Sequence, residues 1–318
     1  MLSPEGLSIS SNRSDNLVRP EGSWVAVVTP FTNDDRLDID GLARLVEFHV
    51  ENETDGLLFL GSTGESTSLA FEEKKEIIAT VAPICKGRIP AFFGVTCPTT
   101  KATVELAQFA ESKGADGVMM VVPPYIAPPQ DAIYDYLSTV AKSISIGVAL
   151  YNNPSRVVVN IDPETVIKLC ELPNVVADKE AMGNVSQIAE IISGTKGKVN
   201  VLCCDFPKYS LILPTLAFGG TGTANVAGNI IPREMAAMSR PWKSWEDVER
   251  AKTLFEKYTP IMKACYSVTN PVAVKAAMDY LGLPAGPPRP PLKPMRGEKL
   301  EQLYKLLDEF KLREKYGL

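Results

Sequence analysis

A closed (β/α)8 barrel with a C-terminal helical extension is the fold the sequence predicts, and three observations predict it. Apolar, β-branched runs recur at intervals of roughly 22 to 34 residues, each followed by an amphipathic segment of helical period. Eight such units fit between Gly22 and Ile231, and strands that alternate with helices build a parallel sheet. A doubly wound sheet is the alternative for such a pattern, but no GxGxxG follows the first run.

In chain order, strands are expected near Trp24–Val28, Gly56–Leu60, Ala91–Val95, Gly117–Val122, Gly147–Tyr151, Val175–Lys179, Val199–Cys203 and Thr223–Val226. The intervening helices should begin near Asp40, Phe71, Thr99, Gln130, Asp162, Val185 and Pro207. Asp162-Pro163-Glu164 places an N-cap residue before a proline at the first helical position. After about Ile231 the pattern turns purely helical, with Pro232–Met238, Ser244–Tyr266, Pro271–Leu281 and Gly297–Arg313 as helices and the proline-rich Pro284–Pro294 as a break. The polar first residues carry no apolar core for a signal sequence. The expected organisation is therefore a disordered tail over 1–21, a barrel catalytic domain over 22–231 and a helical subdomain over 232–318.

Composition narrows the partners. The 318 residues are 45% hydrophobic, carry a net charge of -5 and contain no long basic run, which argues against nucleic acid. No apolar stretch reaches the length of a membrane span without interruption, so no membrane association is expected. Six cysteines without CxxC spacing point to reduced thiols in a cytoplasm and not to a zinc site. The single histidine, His49, falls on a helical face with no second histidine to join it, which leaves triad hydrolysis and histidine–metal chemistry without their residues.

In a barrel of this kind, chemistry sits at the C-terminal ends of the strands. The sixth strand ends on Lys179, after Val175-Val176-Ala177-Asp178. A lysine there is either a solvated strand end with a snorkelling stem or an amine in an apolar pocket. In such a pocket desolvation would free a neutral nucleophile for imine chemistry. The second strand exits into Gly61-Ser62-Thr63-Gly64-Glu65-Ser66, where inward amides and the two hydroxyls would make a small carboxylate cradle, or simply an ordinary turn. The fifth strand exits into Tyr151-Asn152-Asn153-Pro154-Ser155-Arg156. Tyr151 could relay a proton or merely pack, and Arg156 could fork onto a carboxylate. Adjacent parallel strands lie about 5 Å apart, which lets Tyr151 and Lys179 meet in the barrel mouth.

GSTGES, YNNPSR and the lysine of ADKEAMGN, in that order, resemble the motifs of the dihydrodipicolinate synthase / N-acetylneuraminate lyase family of class I aldolases. Val28-Thr29-Pro30-Phe31 and Asn270-Pro271 extend the likeness from about Gly22 to Leu283. The resemblance implies a TIM barrel with a C-terminal helical subdomain, assembled as a homotetramer (a dimer of dimers). It implies that Lys179 forms a Schiff base with pyruvate or a related 2-oxo acid, so that no cofactor or metal is needed. Ser62 and Thr63, with Gly61, would hold the carboxylate of that acid, and Tyr151 would shuttle protons. Arg156 favours the synthase branch, in which pyruvate condenses with aspartate semialdehyde in lysine biosynthesis and the matching arginine binds the second carboxylate. Tyr125 and Ala224 complete the expected substrate-binding set.

Some positions depart from the family pattern. A gapless match reads Pro124-Tyr125-Ile126 where synthases show two adjacent tyrosines, so Ile126 stands in for a proton-carrying residue. That run is similar to keto-deoxy sugar acid dehydratases of the same family, which makes a 2-keto-3-deoxy sugar acid aldolase or dehydratase the nearest alternative. A non-catalytic paralogue is the second. Asp178 replaces an aliphatic residue and, by strand alternation, should face away from the barrel interior and require a partner. Cys203 and Cys204 replace small residues at the seventh strand's exit.

Overall fold

The computed structural model describes residues 17–205 and 209–318. Eight parallel strands close into one barrel in sequence order, with the first also paired to the eighth. They are β1 (Gly22–Ala26), β2 (Gly56–Phe59), β3 (Ala91–Gly94), β4 (Gly117–Val121), β5 (Gly147–Asn152), β6 (Val175–Glu180), β7 (Asn200–Cys204) and β8 (Gly222–Asn225). Each strand overlaps its expected run. The largest shift is at β1, which starts two residues early because the small Gly22 and Ser23 pair with β8. A Cβ on Gly222 would lie 2.1 Å from the Gly22 carbonyl oxygen, so only glycine allows that approach.

The outer layer is formed by α1 (Ile39–Glu51), α2 (Phe71–Cys85), α3 (Thr100–Ser112), α4 (Gln130–Lys142), the one-turn α5 (Pro154–Val157), α6 (Pro163–Leu169), α7 (Val185–Thr195) and α8 (Ile212–Ala217). The expected helix start at Pro207 lies outside the described residues. Next come α9 (Pro232–Ser239), α10 (Trp245–Ala264), α11 (Val272–Leu281), α12 (Glu298–Glu309) and α13 (Leu312–Tyr316). α9, expected to belong to the extension, packs on β1 and β8 and takes the place of the eighth barrel helix. The helix expected over 297–313 is broken, because Lys311 adopts φ 51° and lets Leu312 turn back into the core. Of the tail expected to be disordered, residues 1–16 lie outside the described residues. Residues 17–21 instead lie against the barrel, where Leu17 and Val18 pack on the interior cluster and the Pro20 carbonyl accepts from Asn200. No helix among the described residues is long and apolar enough to cross a membrane.

The barrel is filled by inward side chains of alternate residues, among them Trp24, Leu58, Phe92, Met119, Ala149, Ala177 and Leu202. Trp24 and Phe92 meet edge to face at 5.0 Å. Gly56 and Gly117 make room for these rings, since a Cβ on either would come within 2.4 Å of Trp24 or Phe92 respectively. Space toward the C-terminal mouth is thereby left to smaller and polar residues. His49 is a buried helix residue whose Nδ1 faces the Thr54 hydroxyl at 2.9 Å. All six cysteines are free and buried.

Alternation places Asp178 on the outward face of β6, as expected, but no partner meets it there among the described residues. The side chain is fully buried, and among those residues neither carboxylate oxygen has a hydrogen-bond partner. Burial, and then the nearby Glu180, hold its carboxyl well above the usual carboxylate range. The folded chain therefore keeps a proton that the unfolded chain releases near pH 4. Stability from this group is complete below that pH and is lost progressively as pH rises from there to the raised folded value. Asp178→Val should raise the unfolding free energy at pH 7 by about 1–3 kcal/mol and flatten its decline above pH 4. Denaturant titrations at pH 4 and pH 7 measure both effects, and a less stable variant at pH 7 would contradict this account.

Candidate active site

Lys179 and Tyr151 are direct partners in the β5–β6 ladder, and both side chains point into the barrel mouth. Lys179 is buried, with Nζ 4.0 Å from the centre of the Tyr151 ring. Of the two sequence readings, the solvated strand end is the one the geometry rejects. The Tyr151 hydroxyl accepts from Asn153 Nδ2 at 2.7 Å, and Asn153 is itself fixed by the Ser155 hydroxyl at 2.6 Å. Burial raises the Tyr151 pKa, while the Lys179 amine, the Asn153 amide and the Ser62 hydroxyl partly offset it. The phenol is thus neutral and held against the amine.

Gly61, Ser62 and Thr63 follow β2. Ser62 and Thr63 line the compartment that contains Lys179, and the amides of both make no backbone hydrogen bond among the described residues. Two N–H donors and two hydroxyls are therefore available to a carboxylate. The left-handed residues of the turn are Leu60 (φ 56°) and Glu65 (φ 53°), not its glycines. Gly64 instead permits close packing, since a Cβ there would lie 3.2 Å from the Leu60 amide and 3.3 Å from the Thr29 hydroxyl, tighter than an ordinary van der Waals contact.

The turn is held from the C-terminal region. Glu65 forms an ion pair with Lys275 of α11 at 2.8 Å, both side chains being 1% exposed. Lys275 also donates to the Thr29 and Pro287 carbonyls, and the second Glu65 oxygen accepts from the Arg289 amide. Asn270 Nδ2 donates to the Thr63 hydroxyl at 3.0 Å. On the far side of β6, Glu180 accepts from Asn152 and Gln187, locking β5 to β6 behind the Tyr151–Lys179 pair. Burial raises the Glu180 pKa to about 7.

α5, which the sequence reading did not anticipate, projects Arg156 to the boundary between this compartment and a chamber of about 870 Å³. Arg156 makes no ion pair among the described residues. Ala224 of β8 lines the compartment as expected, and so does Cys204, whose thiol is kept protonated by burial. Tyr125 does not join them. It is 92% exposed at φ 81°, and Ile126 beside it is 61% exposed. Strand geometry ends at Val121, so alternation no longer governs this loop. Asn153, Asp205, Tyr266 and Asn270 also line the compartment and were not singled out as site residues from the sequence. Asn270 had a signal in Asn270-Pro271; Asp205 and Tyr266 lie in no local motif.

An amine and a phenol brought together at the C-terminal mouth of a closed (β/α)8 barrel define a class, the lysine-dependent lyases. The family model described as the dihydrodipicolinate synthetase family matches residues 19–310, and the chain belongs to that family. The 4-hydroxy-tetrahydrodipicolinate synthase 1 of Halalkalibacterium halodurans is 40% identical over 278 residues, covering 87% of this chain and 93% of that protein. The crystal structure of dihydrodipicolinate synthase from Aquifex aeolicus superposes with a TM-score of 0.87 at 37% identity, over 92% of this chain and 99% of that one. The structure of the Acinetobacter baumannii enzyme, described as chloride-inhibited and complexed with pyruvate, gives 0.85 at 31% identity, over 91% of this chain and 98% of that one.

Proposed function

We propose that the protein condenses pyruvate with aspartate semialdehyde to 4-hydroxy-tetrahydrodipicolinate, as the names of its relatives describe, through an imine on Lys179. The observation that carries this reading is the buried Lys179 amine held 4.0 Å over the Tyr151 ring beside the Ser62–Thr63 turn. The amine adds to the pyruvate carbonyl and water leaves. A methyl proton then passes through Tyr151, giving an enamine. The enamine carbon forms the new bond to the aldehyde carbon, whose oxygen takes up a proton. The amino group of the second substrate closes onto the imine carbon, and Lys179 leaves as the free amine. Ser62, Thr63 and their amides hold the pyruvate carboxylate throughout. In this reading the lysine supplies the electron sink, so the reaction needs no cofactor.

A sugar-acid substrate and a non-catalytic role, the other two expectations, draw no support from these relatives, which are all named as synthases. Tyr125 and Ile126, exposed side by side, fit a surface covered by another copy in the expected homotetramer. Aldehyde-dependent consumption of pyruvate tests the reaction, and its absence would contradict it. Arg156→Ala should raise KM for aspartate semialdehyde about 10–100-fold, the worth of a charge-assisted bond, with kcat changed only a few-fold. An unchanged KM in steady-state assays would remove Arg156 as the anchor of the second carboxylate.

A further inference from the structure

The second substrate carries a carboxylate, an aldehyde and an ammonium group, and the reading above assigns no residue to the third. One side of the Lys179 compartment has the chemistry for it. Asp205, just past β7, is 1% exposed and makes no ion pair among the described residues. Its Oδ2 accepts from the Val226 amide at 2.8 Å and the Ala227 amide at 3.4 Å, which fixes the carboxylate in place. Its Oδ1 accepts from the Tyr266 hydroxyl at 2.5 Å. Burial keeps Tyr266 protonated, so the phenol is the donor of that bond, and the residue lines the compartment beside the Asp205 carboxylate.

Asn270 adds an acceptor. With Nδ2 given to Thr63, its Oδ1 is buried with no hydrogen-bond partner among the described residues, in a residue 7% exposed that lines the same compartment. A buried acceptor left unpaired is costly, and a donor on the ligand removes the cost. Asp205 and Tyr266 line only the inner compartment, whereas Arg156 and Asn270 also border the open chamber. The Arg156 cation and the Asp205 carboxylate are thus offset along the site, as the two charged groups of an amino-acid aldehyde require.

We propose that Asp205, Tyr266 and Asn270 form the ammonium-recognising wall of the second-substrate subsite and set the enzyme's preference for an aldehyde with a free amino group. This rests on the condensation reading. It gives the wall a chemical task beyond selectivity, because the amino group must be held near the imine carbon to close the ring.

The test compares aspartate semialdehyde, as substrate, with succinic semialdehyde, the same chain without the amino group, as a competing inhibitor. In Asp205→Asn and in Tyr266→Phe the KM for aspartate semialdehyde should rise about 10–100-fold, since a hydrogen bond to a charged group is lost. The inhibition constant for succinic semialdehyde and the borohydride trapping of pyruvate should stay as in the wild type. Tyr266→Phe leaves the Asp205 carboxylate and its backbone bonds in place, so it serves if Asp205→Asn fails to fold. Equal loss for both aldehydes, or no change in KM, overturns the inference. A wild-type protein that traps no pyruvate overturns the reading on which it rests, and the inference with it.

Discussion

Tyr151→Phe is expected to lower kcat about 10²–10⁴-fold, the usual worth of a positioned acid–base group. The substitution removes one oxygen and leaves the ring beneath the Lys179 amine, so the packing that buries the lysine persists. The lost atom is the one to which Asn153 donates at 2.7 Å. Proton transfer to and from the pyruvate methyl group and the aldehyde oxygen then has no relay, whereas imine formation needs only the amine. The expected result is slow turnover with pyruvate still trapped on the protein by borohydride. A variant with wild-type kcat would show that protons travel by another route, and one that no longer binds pyruvate would assign Tyr151 to binding instead.

The second large effect is on stability. Lys275→Met should cost about 3–5 kcal/mol, because it leaves the Glu65 carboxylate buried without its cation. The pair is 1% exposed on both sides, so water cannot substitute for the lost charge. Adding Glu65→Gln to that variant should recover part of the loss, since no unpaired charge is then buried. Urea denaturation of the two variants measures this. Glu65 closes the turn that carries Ser62 and Thr63, so KM for pyruvate should rise in Lys275→Met. A cost below about 1 kcal/mol, typical of an exposed ion pair, would show that the bridge is unimportant.

The barrel was legible in the sequence because each strand is buried on both faces and so reads as a short apolar run. The runs shifted where small residues extend a strand, as Gly22 and Ser23 do in β1, or where a single left-handed residue bends a helix, as Lys311 does, and the one-turn α5 was too short to show a period. Lys179, Tyr151, Ser62 and Thr63 were legible because each ends a strand or follows one directly, where barrel chemistry must lie. Asp205 and Tyr266 were not, since 61 residues separate them and only the packing of the C-terminal region over the mouth brings them together. Tyr125 misled for the opposite reason. It sits in a suggestive local run, but positive φ values at Tyr125 and Ala127 carry that loop outward, where neighbouring side chains no longer alternate. Asp178 was read correctly as outward-facing, and its expected partner is missing among the described residues.

The central claim is that Lys179 is the amine that carries pyruvate. Incubation with pyruvate followed by borohydride, proteolysis and mass spectrometry tests it directly. The account predicts one reduced pyruvyl adduct per chain, on the peptide containing Lys179, and no adduct in Lys179→Ala. Label on another lysine, or label that persists in Lys179→Ala, would contradict it.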